Sequence, residues 1–124
     1  MNATIPAETP RAFTTCRLQL PPVWLDYSTS TTTNPIGAQM STVTLAGTSW
    51  QVWYGSTGAW HTVSYVRSPN TAAVSDFDLL PFLQDAVTRG TGSTNWDLLS
   101  VEAGFELFNA TKGGSIDSYS VTIQ

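Results

Sequence analysis

Two carboxylates interrupt one of the most apolar stretches of this chain. The run 96–108, WDLLSVEAGFELF, carries Glu102 and Glu106. Read with period two, Leu99, Val101, Ala103, Phe105 and Leu107 form a continuous apolar face. Trp96, Ser100, Glu102, Gly104, Glu106 and Phe108 share the other face. A solvated strand face would usually carry Lys, Thr and Ser. A face that mixes acid with aromatic rings suits a carbohydrate cleft, where rings stack on sugars and a carboxylic acid moves a proton. The plainer alternative is an amphipathic strand with two solvated glutamates. Spacing limits what the pair can do together. Four residues of strand put their α-carbons about 13 Å apart, too far for the two carboxyls to serve as a closely spaced pair. Neither glutamate can be the other's partner in such a pair.

The elements that must hold this strand are readable around it. Val43 and Leu45 alternate with threonines in STVTLAG, and a turn over Ala46, Gly47 and Thr48 leads into SWQVWYG. There Trp50, Val52 and Tyr54 share one face, with Gln51 and Trp53 on the other. A turn at 56–59, STGA, precedes WHTVSYVR, whose His61, Val63 and Tyr65 lie on one side. This is a meander with hairpin spacing. The segment 75–90, SDFDLLPFLQDAVTRG, changes period: Leu79, Leu80, Leu83 and Val87 recur at helical spacing, and Arg89-Gly90 closes the run. With Asp78 as N-cap, Pro81 falls in the first turn, where its missing N–H is not needed. One short helix is expected here, on the convex side of a sheet. After the KGG turn, Tyr119, Val121 and Ile123 alternate with serines and a threonine in a last strand.

The chain has 124 residues, enough for one domain. Nine acidic against five basic residues give a net charge of −4, which argues against nucleic acid or an anionic membrane surface as partner. Only 11% of residues are charged, and five tryptophans accompany abundant Thr, Ser and Gly, the palette of a secreted β-protein. The one cysteine, Cys16, leaves no disulfide within the chain. The start MNATIPAETP shows neither the basic end nor the apolar run of a signal peptide, and no stretch reaches the ~20 apolar residues that span a bilayer. Asn2 and Asn109 each begin an Asn-x-Thr triplet, which chance supplies readily in a Thr-rich chain. No metal-ligand spacing, phosphate loop or Ser-His-Asp set is present, and His61, the sole histidine, reads as a structural or surface residue. Residues 1–22 hold Pro6, Pro10, Pro21 and Pro22 without sustained periodicity, and 28–33, STSTTT, reads as a polar linker.

The order NPIG, STVTLAGTSWQVWYGSTGAWHTVSYV, a helix ending AVTRG, NWDLLSVEAGFELF and SIDSYSVTI resembles the C-terminal half of a glycoside hydrolase family 12 domain, nearest the bacterial endoglucanases. Their cleft strand carries W-x-L-x-S-V-(Q/E)-A-G-F-E, which Trp96 through Glu106 matches. The resemblance divides the chain into 1–34, where only 23–25 look familiar, and 35–124, the family half. It implies a β-jelly-roll sandwich, partial here, with one short helix, and hydrolysis of internal β-1,4-glucan bonds by a retaining two-carboxylate mechanism that needs no cofactor or metal. Glu106 matches the general acid/base. Glu102 matches a groove-lining Gln or Glu, Phe108 and Trp96 match groove aromatics, and Pro35 and Ile36 belong to a PIG segment resembling the cord that crosses the groove. Leu107 stands where a proline is frequent.

The family nucleophile comes from an E-(I/L)-M-(I/V)-W-(L/F) strand, which LPPVWLD at 20–26 matches only at Val23, Trp24 and Leu25. Trp24 is thereby a further groove aromatic, but the nucleophile position is Leu20, followed by Pro21 and Pro22, which could not keep a central strand's ladder. Asp26 shares the Trp24 face if the strand persists, and otherwise reads as a surface residue; Glu8 lies in a proline-rich stretch without a predictable place. Two functions follow. One is an endo-β-1,4-glucanase acting on cellulose, mixed-linkage glucan or xyloglucan. The other is an inactive, truncated relative that binds glucan or serves as a decoy. An extracellular location follows from the resemblance, and self-association through exposed strands follows from half a sandwich standing alone.

Overall fold

The β-rich pattern folds into two packed sheets. The structure is a computed structural model and describes residues 2–5, 21–26, 34–58, 60–95, 101–104 and 115–122, with backbone alone for 2–5 and 60. Strands β1 (Asn2–Ile5), β2 (Val23–Trp24), β3 (Ala38–Leu45), β4 (Thr48–Thr57), β5 (Trp60–Ser68), β6 (Val74–Asp78) and β7 (Ser120–Thr122) accompany one helix, α1 (Leu80–Thr88). One sheet has the order β2-β5-β4-β3, the other β6-β1-β7.

The meander forms as its alternation requires. The β3–β4 connection is tighter than the sequence suggests: Leu45 pairs with Thr48, so the turn is Ala46-Gly47 alone. Both turn residues have positive φ, 48° and 74°, the pattern of a two-residue hairpin whose twist matches its strands. Thr57 pairs with Trp60 at the next hairpin. Strand β2 joins β5 in parallel, Val23 opposite Tyr65 and Trp24 opposite Val66. Its shortness follows from Pro21 and Pro22, which have no N–H to offer; the Pro22 carbonyl still accepts a hydrogen bond from the Tyr65 amide at 2.9 Å.

The core lies between the sheets. Trp50, Val52, Val63 and Tyr65 project from the four-stranded sheet, Phe77 from β6, and Phe82 and Ala86 from α1. Phe82 sits edge-on to both Trp50 and Tyr65, with centroids 4.8 and 5.2 Å away, and Phe77 meets Trp50 at 5.6 Å. Such edge-to-face pairs are the favoured meeting of aromatic quadrupoles. Val43, Leu45, Val101, Ala103 and Val121 pack around this group.

Three sequence expectations change. Residues 74–78, expected to lead into a helix, form β6, and the helix begins only at Leu80. Asp78 therefore stands one residue outside the cap position, but its Oδ1 still accepts the Leu80 amide at 3.0 Å. The buried helix stripe is Leu79, Phe82 and Ala86, while Leu80 is exposed, because the aromatic wall of Trp50 and Tyr65 selects the phenylalanine. Residues 2–5 also join the fold: β1 lies between β6 and β7, with Ala3 opposite Phe77 and Val121. The helix ends as expected. Gly90, at φ 80°, donates to the Val87 carbonyl and Thr91 to that of Ala86, both at 3.0 Å, a Schellman closure.

Candidate active site

The four-stranded sheet has a second face, turned away from the core. Its register brings Thr42, Gln51, Val66 and Trp24 into one row across β3, β4, β5 and β2. The next row holds Gln39, Trp53 and Ser64, and beyond it Gly55 pairs with Thr62. An indole, an amide and hydroxyls thus converge on one surface, the combination that stacks on a sugar ring while binding its hydroxyl groups. The Trp53 Nε1 donates to Gln51 Oε1 at 3.4 Å, so ring and amide orient each other.

Burial decides which groups a ligand could meet. Trp24, Ser64 and Val66 are only 2–3% exposed, whereas Trp53, Gln51 and Thr62 are half-buried. The parallel pairing beside β5 places Trp24 on this face, where its side chain is buried. Among the described residues, Trp53 is the accessible indole of this face. The alternation in SWQVWYG puts Gln51 and Trp53 on the face opposite Trp50; the register that aligns them with Trp24 is not in the sequence pattern.

The cord segment lies on this same face. An α-carbon substituent on Gly55 would project with Trp53 and Gln51, and it would meet the Ile36 carbonyl oxygen at 2.5 Å and the Gly37 nitrogen at 2.7 Å. Gly37 has φ 93°, and a Cβ there would stand 1.9 Å from the Tyr54 carbonyl oxygen. The chain can cross β4 this closely only because both residues are glycine. In the cord Pro35 is buried, whereas Ile36 is 44% exposed.

Of the run expected to form the acid-bearing strand, residues 101–104 are described, and they belong to no strand. Val101 and Ala103 pack on the core and Glu102 is exposed, so the alternation read from the sequence holds there. The Tyr119 hydroxyl donates to the Val101 carbonyl, tying the segment before β7 to this stretch. Burial, and then the negative charge of Glu102, push the Tyr119 phenol above its ordinary range. Glu106, Trp96, Phe108, Leu20 and Glu8 lie outside the described residues. Asp26 is half-buried just past β2; the strand stops at Trp24, so the continuation that would have kept Asp26 on the Trp24 face is not made.

The opposite flank is structural. Tyr65 Oη donates to Asp85 Oδ2 at 2.6 Å, and Arg89 Nε meets the same oxygen at 2.5 Å. This joins α1 to the sheet beneath the site. Burial first, and then the hydrogen bond to Asp85, raise the Tyr65 phenol far above its ordinary value. Among the described residues no group of three or more His, Cys, Asp or Glu side chains could hold a metal ion, and no helix is long and apolar enough to cross a membrane.

Comparison with known proteins bears on this surface. Residues 21–124 match the family model for glycosyl hydrolase family 12. The chain is similar to a probable cellulase, Cel12b, of Mycobacterium tuberculosis, at 28% identity over 101 residues, 82% of this chain and 65% of the relative. It is similar to xyloglucan-specific endo-beta-1,4-glucanase A of Emericella nidulans, at 33% identity over 88 residues, 70% of this chain and 36% of the relative. A metagenome-derived glycoside hydrolase family 12 endoglucanase superposes with a TM-score of 0.75 at 36% identity, over 82% of this chain and 43% of that structure. The chain therefore spans between 36% and 65% of the lengths of these proteins.

Proposed function

Since this chain belongs to glycosyl hydrolase family 12, we propose that it serves the hydrolysis of β-1,4-glucan, with Glu106 as general acid/base. The observation that carries this reading is the sheet face on which Trp53, Gln51 and Thr62 converge beside the cord, opposite the core. A glucan chain would lie along this face with a sugar ring on Trp53 and its hydroxyls on Gln51. Glu102 lines the groove near the acid, with Trp96 and Phe108 as flanking rings. In a retaining reaction Glu106 protonates the departing glycosidic oxygen while a second carboxylate forms the bond to the anomeric carbon. Water then displaces that carboxylate, with Glu106 taking its proton. Cellulose, mixed-linkage glucan and xyloglucan all present the required backbone, and the medium around cells is where such polymers are met.

A second reading is favoured by one observation. Leu20 occupies the nucleophile position, and Pro21 and Pro22 interrupt the strand behind it. A chain without that carboxylate binds glucan without cleaving it. Reducing-sugar release from carboxymethyl-cellulose and soluble β-glucan, measured for this chain and for Glu106→Gln, separates the two. Release that Glu106→Gln abolishes supports turnover and makes Asp26→Asn the next variant. Saturable binding without release supports the second reading. Neither binding nor release would remove both.

A further inference from the structure

We infer that Gly55 is a positioning residue for the cord, and that its bare α-carbon sets the height of Ile36 as a wall of the glucan face. The inference rests on the glucan-site reading for its ligand, but its geometry is independent of it. Strand β4 runs in unbroken register with β5 from Ser49 to Thr57, so position 55 projects to the side of Gln51 and Trp53. A methyl group there would stand 2.5 Å from the Ile36 carbonyl oxygen and 2.6 Å from its carbonyl carbon. Both neighbours are backbone, so no side-chain rotation relieves the clash. The contact is reciprocal, because Gly37 approaches Tyr54 and Gly55 with the same intolerance of a Cβ.

The cord is therefore seated on the strand rather than free to swing above it. Its seat is two residues along β4 from Trp53, the accessible ring of the face among the described residues. Pro35 is buried on one side of this seat and β3 begins at Ala38 on the other, so the cord has few ways to yield except upward. Lifting it moves Ile36 away from the sheet and widens the groove where a sugar stacks on Trp53. Gly55 acts on the ligand through Ile36 and touches none itself.

Three variants test this. Gly55→Ala should weaken cellotetraose binding at least tenfold and speed amide exchange at residues 36–38 by a similar factor. Gly47→Ala is the control for stability: it strains a positive-φ turn but has no atom within 4 Å of the added carbon, so it should change neither readout. Ile36→Ala keeps the backbone seat and removes the wall; it should weaken binding several-fold and leave exchange at 36–38 unaltered. Wild-type exchange rates at the cord in Gly55→Ala would overturn the inference, and so would wild-type affinity in Ile36→Ala. If the parent chain fails to bind cellotetraose, the glucan reading falls, while the exchange comparison still decides whether Gly55 holds the cord.

Discussion

At the residue scale, the molecule depends on polar groups that burial makes costly to disturb. Tyr65 is fully buried and gives its hydrogen bond to a carboxylate shared with Arg89. A hydrogen bond to a charged group contributes about 1.5–3 kcal/mol, so Tyr65→Phe should lower unfolding stability by about 2 kcal/mol in a denaturant titration. The same contact predicts a pH dependence. The folded state holds the Tyr65 proton more tightly than the unfolded chain does, because burial and the Asp85 hydrogen bond both disfavour phenolate. This stabilisation is complete below the ordinary tyrosine value of about 10 and is lost as pH climbs above it. Thermal unfolding followed between pH 8 and 11 should show a steeper alkaline decline in the parent than in Tyr65→Phe. Parallel declines would contradict the assignment.

The elements show which parts of the chain could be read directly. The β3–β4–β5 meander was legible because period-two alternation and short hairpins are local signals, as Val43, Trp50 and Val63 illustrate. Its first turn was harder: Ala46-Gly47 lacks the asparagine that normally marks positive φ at the first turn position. Ala46→Asn should therefore raise stability, by about 1 kcal/mol, since a left-handed alanine costs roughly 1–2 kcal/mol and asparagine tolerates that region. The end of α1 was announced by Arg89-Gly90, and Gly90→Ala should cost about 1 kcal/mol for the same reason. Both changes are measured by equilibrium unfolding. Asp76 and Asp78, which read as acidic signals of a helix start, belong instead to β6, and α1 begins at Leu80. Asp78 caps the helix from one residue further out than its type suggests.

The whole molecule depends on pairings that no local pattern announces. Asn2–Ile5 is four residues long, and its partners lie near residues 76 and 121, so β1 was invisible in the sequence. The site shows the same division. Period two placed Gln51 and Trp53 opposite Trp50, but only the register across four strands set them beside Trp24 and Ser64. Burial then separates the two tryptophans of that face: Trp24 is covered and Trp53 is half-buried. The cord's Pro35-Ile36-Gly37 was recognisable by its letters, while its seat on Gly55 required three dimensions.

The accessibility of Trp53 makes a ligand titration of its alanine variant the most direct test of a glucan-binding face. Cellotetraose added to the parent chain, followed by tryptophan fluorescence and calorimetry, should bind saturably. Trp53→Ala should weaken that binding at least tenfold, in line with the loss of one stacked ring, while the core around Trp50 keeps the chain folded. Binding that Trp53→Ala leaves intact, or a parent chain that takes up no cellotetraose, would contradict the account.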